Sequence, residues 1–267
     1  MLSRSTNSTK MRRLKQLPKA LEILPDPPQT LWYRGNEALL RRPAVSIVGT
    51  RRPSAYTKEM TYLLAQKFAA IGYAVVSGAA MGVDAMAHRG AFPDTIAVMA
   101  NSLDIHYPKV NAKLIEAICK EGLALSEYEA NTRATRYSFV VRNRIVVALG
   151  ECLIIAEADE NSGTMRSAEI ALELGKKIYV LPQRLGESAG TWKLLHEGNA
   201  EMITDIERFV ARFGVVEKRP QKEEDALLAF CQTIPTLEEA VAKFGDQVFA
   251  YELEGLITIK NLKVYPL

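Results

Sequence analysis

The chain has 267 residues, 48% hydrophobic and 24% charged, which excludes a disordered or fibrous polymer and suits one large α/β domain with a small appendage. Three widely spaced cysteines (Cys119, Cys152, Cys231) form no C-x-x-C pair; this argues against a disulfide framework or zinc site and for core filling in a reducing cytosol. No apolar run approaches the roughly 20 residues that span a bilayer, and the charged N-terminus lacks the apolar stretch of a secretory signal. The net charge of +3 is uneven: residues 1–42 carry nine Lys/Arg against three Asp/Glu, 43–216 carry nineteen of each, and 217–267 carry six against nine. A polyanion should therefore meet the N-terminal side or a local patch of the core, and not the acidic tail.

In chain order, residues 1–16 are expected to be disordered. Residues 17–33, with four prolines, are expected to wrap the core as a cap. Short β-rich runs then alternate with helical patterns, the signature of a parallel sheet flanked by helices. Strands are predicted at 44–48, 74–77, 95–99, 123–126, 152–156, 178–181 and 201–203. Helices are predicted at 58–72, 79–91, 111–121, 142–149, 167–174, 191–197 and 205–213. The core should run over 17–215, followed by a polar linker at 216–225. Beyond it, helical patterns at 226–233, 236–244 and 247–256 precede a hairpin around Asn261-Leu262, a degenerate winged-helix pattern over 226–267. The predicted fold is thus an extended Rossmann-like, doubly wound, mostly parallel α/β sheet with a small winged-helix-like C-terminal domain.

The first strand runs into Gly49-Thr50-Arg51-Arg52-Pro53-Ser54. In a parallel sheet ligands bind beyond the carboxyl ends of strands. A glycine, exposed amides and hydroxyls can receive a phosphate there, and two arginines add fork-shaped donors. A strand-exit turn with solvated arginines fits that stretch equally well. The second strand ends in Ser77-Gly78-Ala79-Ala80-Met81-Gly82-Val83-Asp84, which is not the G-x-G-x-x-G dinucleotide fingerprint. Asp84 and His88, one helical turn apart, could form a proton relay; a local hydrogen bond that fixes the helix start is the favoured reading. Between 132 and 144, Arg133, Arg136, Arg142 and Arg144 are interleaved with Tyr137 and Phe139. Cations track a polynucleotide backbone and rings stack on its bases; a buried Phe139 with solvated arginines is the plainer alternative. Ser162-Gly163-Thr164 opens a later helix as another anion-receiving turn, although Glu157, Asp159 and Glu160 just before it should repel phosphate unless they face elsewhere. The three histidines are scattered, and no nucleophile–base–orienter set or common catalytic motif is visible. No catalytic residue, metal or cofactor is therefore expected.

Several of these stretches, in order, resemble the DprA (Smf) family: Leu31-Trp32-Tyr33-Arg34-Gly35-Asn36, Ile47 to Ser54, Val76-Ser77-Gly78 with Gly82-Val83-Asp84 and Ala87-His88. Tyr107-Pro108, Leu125-Ser126-Glu127-Tyr128, Phe139 with Arg142-Asn143-Arg144, and Ser162-Gly163-Thr164 continue the match. The resemblance implies a single-stranded-DNA-binding protein, usually dimeric, that protects incoming DNA and loads the RecA recombinase in natural transformation. It assigns phosphate contacts to Arg51, Arg52 and Arg136, a base contact to Phe139, and the first-turn roles to Gly49 and Thr50. With the neighbouring donors, the candidate DNA-binding set also takes in Ser54, Ser77, Gly78, Arg142, Asn143, Arg144, Ser162 and Gly163. The chain departs from the family pattern at Ala79-Ala80-Met81 and at Met99-Ala100-Asn101, changes that could alter the pocket. A rival from another class is the lysine-decarboxylase-like (LOG) group of nucleotide-hydrolysing enzymes. Their P-G-G-x-G-T-x-x-E run is only loosely resembled by Asn161-Ser162-Gly163-Thr164 with Glu169. Both readings place the protein in the cytoplasm with no membrane insertion.

Overall fold

A computed structural model describes residues 11–214, 226–231, 234–253 and 257–266. It separates into two units, 1–217 and 218–267.

In the larger unit the strands are β1 (Arg12–Arg13), β2 (Trp32–Gly35), β3 (Ala44–Val48), β4 (Ala74–Ser77), β5 (Thr95–Val98), β6 (Leu123–Ser126), β7 (Leu153–Ile155), β8 (Ile178–Val180) and β9 (Glu201–Met202). The helices are α1 (Ala55–Ala70), α2 (Val83–Ala91), α3 (Ala112–Lys120), α4 (Arg136–Leu149), α5 (Gly163–Glu173), α6 (Ala189–His196) and α7 (Ile206–Ala211). The strands form one sheet in the order β1-β2-β6-β5-β4-β3-β7-β8-β9. All pairings from β6 to β9 are parallel, and β2 joins β6 antiparallel, with Trp32 opposite Ser126.

The central strands are continuous apolar runs because both sheet faces are covered. Val48, Val76, Ile96, Val98, Leu123 and Leu125 face α4 and α5, where Ile145, Val146, Leu149, Ala168 and Ala171 pack. Val45, Ile47, Val75 and Ile154 face the other side, against Leu64, Phe68, Val83 and Phe209 of α1, α2 and α7. Helix α3 covers Ala97 and Ala124 through Ile115 and Ile118.

The predicted parallel core is present, with element ends shifted by a few residues. Two differences are larger. Residues 11–16, expected to be disordered, are tied down: β1 pairs with β2 and the Leu14 amide donates to Leu31 O at 2.9 Å. A two-residue edge strand of arginines carries no apolar signal; Arg12 lies over the Tyr33 ring at 4.7 Å. Residues 32–35 form a strand and not the end of a cap, while Leu21, Leu24 and Leu31 just before them bury themselves in the core as a cap should.

Helix α4 begins six residues before its predicted start. Thr135 and Ser138 form a capping box: the Ser138 amide donates to the Thr135 hydroxyl at 3.1 Å and the Thr135 amide to the Ser138 hydroxyl at 2.8 Å. This satisfies two of the helix's orphan donors. The inward stripe of that first half holds Ser138 and Arg142, so apolar periodicity, the usual helical signal, starts only at Ile145.

The second unit holds α8 (Ala226–Cys231), α9 (Leu237–Phe244), α10 (Gln247–Leu253) and a hairpin of β10 (Ile257–Lys260) and β11 (Lys263–Pro266). Asn261 and Leu262 both take positive φ at its turn, as a two-residue hairpin loop requires. Leu227, Cys231, Ala240, Val248, Ile257 and Val264 form its small core. The predicted linker at 216–225 lies outside the described residues.

Candidate functional site

The chain steps from β3 through β4 and β5 to β6 in one direction, then from β7 to β9 in the other. The switch point therefore falls between β3 and β7. The loops leaving adjacent parallel strands there diverge and open a crevice at their carboxyl ends. A cleft of about 570 Å³ lies at that place. Its lining includes Gly49, Thr50, Arg51 and Arg52 after β3, Gly78 and Ala80 after β4, and Phe139, Arg142 and Asn143 from α4. Glu157, Asp159, Ser162, Gly163 and Thr164 after β7 close it.

The β3 turn is held by its backbone. The Thr50 amide donates to Glu157 O at 2.8 Å, Thr50 O accepts the Val83 amide at 3.1 Å, and the Thr50 hydroxyl accepts the Arg52 amide at 3.2 Å. Ser54 caps α1 by accepting the Thr57 amide at 3.1 Å, and its own amide donates to the Glu157 carboxylate at 3.1 Å. One of the acids suspected of repelling an anion is thus turned partly into a cap, and Glu160 pairs with Lys193 at 3.5 Å. Asp159 remains on the lining. Arg51 and Arg52 are exposed and pair with no carboxylate among the described residues. The Arg51 guanidinium sits 5.4 Å over the Phe139 ring, within cation–π range. Arg136 opens α4 one turn before Phe139 and is exposed, so it shares the helix end on which Phe139 meets Arg51.

The β4 turn is locked by side chains. The Asp84 carboxylate accepts the amides of Gly78 at 3.1 Å and Ala80 at 3.2 Å. His88 Nε2 accepts the Ala79 amide at 3.2 Å. That leaves the ring proton on Nδ1, donated to the Thr95 hydroxyl at 2.7 Å, which in turn donates to Val75 O at 2.9 Å. Burial pushes the imidazole down to about 3, so it is neutral. Burial pushes the Asp84 carboxyl up, opposed by the Arg142 charge and the two amides. Asp84 and His88 therefore do not form a relay; each fixes the loop on its own. Asn111 donates to Ala79 O at 3.2 Å and Ala80 O at 2.9 Å. Gly82 has φ +78°, and a Cβ there would stand 2.4 Å from Thr50 O, so only glycine lets the two turns meet.

Four expected DNA contacts are placed differently from their neighbours. Ser77 is fully buried and donates to Ile47 O at 2.7 Å. Arg142 is buried and donates to Gly78 O at 2.6 Å and to Val98 O; it props the β4 turn while one edge still lines the cleft. Arg144 forks onto Glu127 with two bonds of 2.7 Å and donates to Asp26 O at 3.0 Å, away from the lining. Ser54 is a helix cap. The sequence reading missed Asn111 and Gly82 as parts of the site. An asparagine opening a helix reads as a cap, and Gly82 carries no sign in the sequence that two turns meet there.

A doubly wound Rossmann-like core, with a cleft of unpaired arginines, an aromatic ring and helix N-termini at its switch point, defines a protein of the phosphate-compatible α/β class. The family profile of DNA recombination-mediator protein A matches residues 10–214. Curated relatives include the Smf protein of Synechocystis, 34% identical over 83% of this chain and 58% of its own length. Another is DNA processing protein DprA of Bacillus subtilis, 34% identical over 69% of this chain and 64% of its own length. The chain thus spans about three fifths of these relatives. Among solved structures it is similar to DNA processing protein A of Helicobacter pylori, described for its single-stranded DNA binding mode: TM-score 0.76, 45% identity, covering 77% of this chain and 97% of that one. The chain belongs to the DNA recombination-mediator protein A (DprA/Smf) family.

Proposed function

We propose that this chain binds single-stranded DNA in the switch-point cleft and acts as a binding protein, not a catalyst. The observation that carries the reading is Arg51 over Phe139 on the cleft lining, with Arg52 on the same lining and Arg136 exposed one helical turn before Phe139. Charges supply affinity for any backbone, and a half-buried ring on the cleft lining rewards only a base that is already unstacked, which favours a single strand over a duplex. Arg51, Arg52 and Arg136 take phosphates, Phe139 takes a base, and the amides of Gly49 and Gly163 with the Thr50 hydroxyl and Asn143 complete the donor set. The Ser162 hydroxyl opens α5 on the cleft lining, buried and without a hydrogen-bond partner among the described residues, and accords with an oxygen-rich ligand at that helix N-terminus. Ser54, Ser77, Gly78, Arg142 and Arg144 serve by holding this surface in shape. From the family resemblance follow the further roles: protection of incoming DNA, loading of a RecA recombinase during natural transformation, a homodimer as the working form, and a cytoplasmic site of action. The C-terminal helices and hairpin act as a winged-helix-like module that contacts protein.

Fluorescence anisotropy with single- and double-stranded oligonucleotides over a salt series tests the central claim. Single strands are expected to bind more tightly, with log affinity falling against log salt by about 0.7 per phosphate neutralised. Equal affinity for duplex, or a flat salt response, overturns it.

A further inference from the structure

Phe139 has an aromatic neighbour from a different part of the chain. The Tyr107 ring lies 6.1 Å from it, centre to centre, at 51°, and Tyr107 is 48% exposed. Its loop lies between β5 and a 3-10 turn at Lys109–Asn111. Asn111, at the end of that turn, is bonded to Ala79 O and Ala80 O. The same side chain that steadies the β4 turn therefore anchors the Tyr107 segment to the cleft. At a 51° tilt the two rings do not cover each other, so the half-exposed Tyr107 keeps a face for a further planar group, while the Phe139 ring carries the guanidinium of Arg51 at 5.4 Å and that of Arg142 at 6.0 Å. Arg51 and Tyr107 both neighbour Phe139, and Lys109 is exposed two residues beyond Tyr107.

We propose that Tyr107 is a second stacking platform, taking the base next to the one on Phe139, so that the strand leaves the cleft over residues 107–111. This rests on the reading of the cleft as a single-stranded DNA site. The ring separation exceeds the roughly 3.4 Å rise between stacked neighbours. A strand must therefore be unstacked and stretched to use both rings, which a flexible single strand accommodates and a duplex does not. Tyr107 thereby sharpens selection for single strands and lengthens the footprint past the arginines. Lys109 stands where the following phosphate passes.

The test is anisotropy with oligo-dT, using the whole chain and five variants. Tyr107→Ala is expected to weaken binding about 5- to 10-fold with an unchanged salt slope, and Tyr107→Phe to stay within about twofold of the parent. If Tyr107 and Phe139 hold separate bases, the double variant Tyr107→Ala/Phe139→Ala loses the product of the single losses. If Tyr107→Ala adds nothing once Phe139→Ala is present, Tyr107 merely props Phe139 and the platform is refuted. If the parent binds, Arg52→Ala weakens it and Tyr107→Ala does not, the platform falls while the DNA site stands. If the parent binds no oligonucleotide, both fall.

Discussion

The two turns that wall the cleft are built in opposite ways. The β3 turn is fixed mainly through its backbone amides and carbonyls, and its arginines make no ion pair among the described residues. The β4 turn is fixed by charged and polar side chains (Asp84, His88, Asn111 and Arg142), and its own residues are small. One wall meets a ligand and the other keeps the first in register, with Gly82 where they touch. Arginines that look alike in the sequence therefore do different work: Arg51, Arg52 and Arg136 are exposed and make no ion pair among the described residues, whereas Arg142 and Arg144 are committed inside the protein. The residues that respond most to mutation in stability should not be those that respond most in binding.

The largest expected effect is on the braced wall. Arg142→Ala leaves Gly78 O and Val98 O without their donor in a buried place, at about 1–3 kcal/mol for each group left unsatisfied. Urea denaturation checks this; an unchanged midpoint would break the contrast between the walls. Gly82→Ala forces a side chain into positive φ and against Thr50 O, at a cost of about 1–3 kcal/mol for the backbone alone. Arg51→Ala, by contrast, should move stability by no more than about 0.5 kcal/mol, as an exposed side chain does.

On the free wall the expected effect is in binding. Arg52→Ala should weaken oligo-dT binding about 10- to 100-fold, in line with about 1.5–3 kcal/mol for a charge-assisted hydrogen bond, and reduce the salt slope by about 0.7. Phe139→Ala should lose about 1–3 kcal/mol with the slope nearly unchanged. A parallel fall in slope would mean that Phe139 positions Arg51 and takes no base itself.

Much of the fold was legible because a sheet covered on both faces writes its strands as apolar runs; β3, β4 and β6 stand where 44–48, 74–77 and 123–126 placed them. What was hidden was hidden for physical reasons. Helix α4 turns Ser138 and Arg142 inward, so its first half lacks apolar periodicity. Strand β1 is a pair of exposed arginines, with nothing to bury. For the cleft, the Gly49 turn, Arg51 and Phe139 could be picked out by residue type and family resemblance. Which guanidinium is free and which is buried could not, because that depends on carbonyls at Gly78 and Val98 and a carboxylate at Glu127, far away in sequence. Asp84 and His88 show the same limit: their spacing suggested a bond between them, and both instead reach back to the loop amides.

The mildest test acts through pH. His88 is neutral in the folded protein, held down to about 3 by burial, whereas in the unfolded chain it titrates near 6.5. Below about 6.5 the unfolded state takes up a proton that the folded state refuses, so stability must fall as pH falls, by at most about 1.4 kcal/mol per unit, until about pH 3. Above about 6.5 both states are neutral at this residue and its contribution no longer changes. His106, also held below its ordinary value by burial and by Arg34, adds to the same slope, so the parent alone cannot apportion it. His88→Asn can. Denaturation midpoints taken between pH 7 and pH 5, above the range where most carboxylates titrate, should fall less steeply in the variant than in the parent. An identical slope would mean that the imidazole is already protonated when folded, which contradicts its acceptance of the Ala79 amide and the neutral latch on the β4 turn.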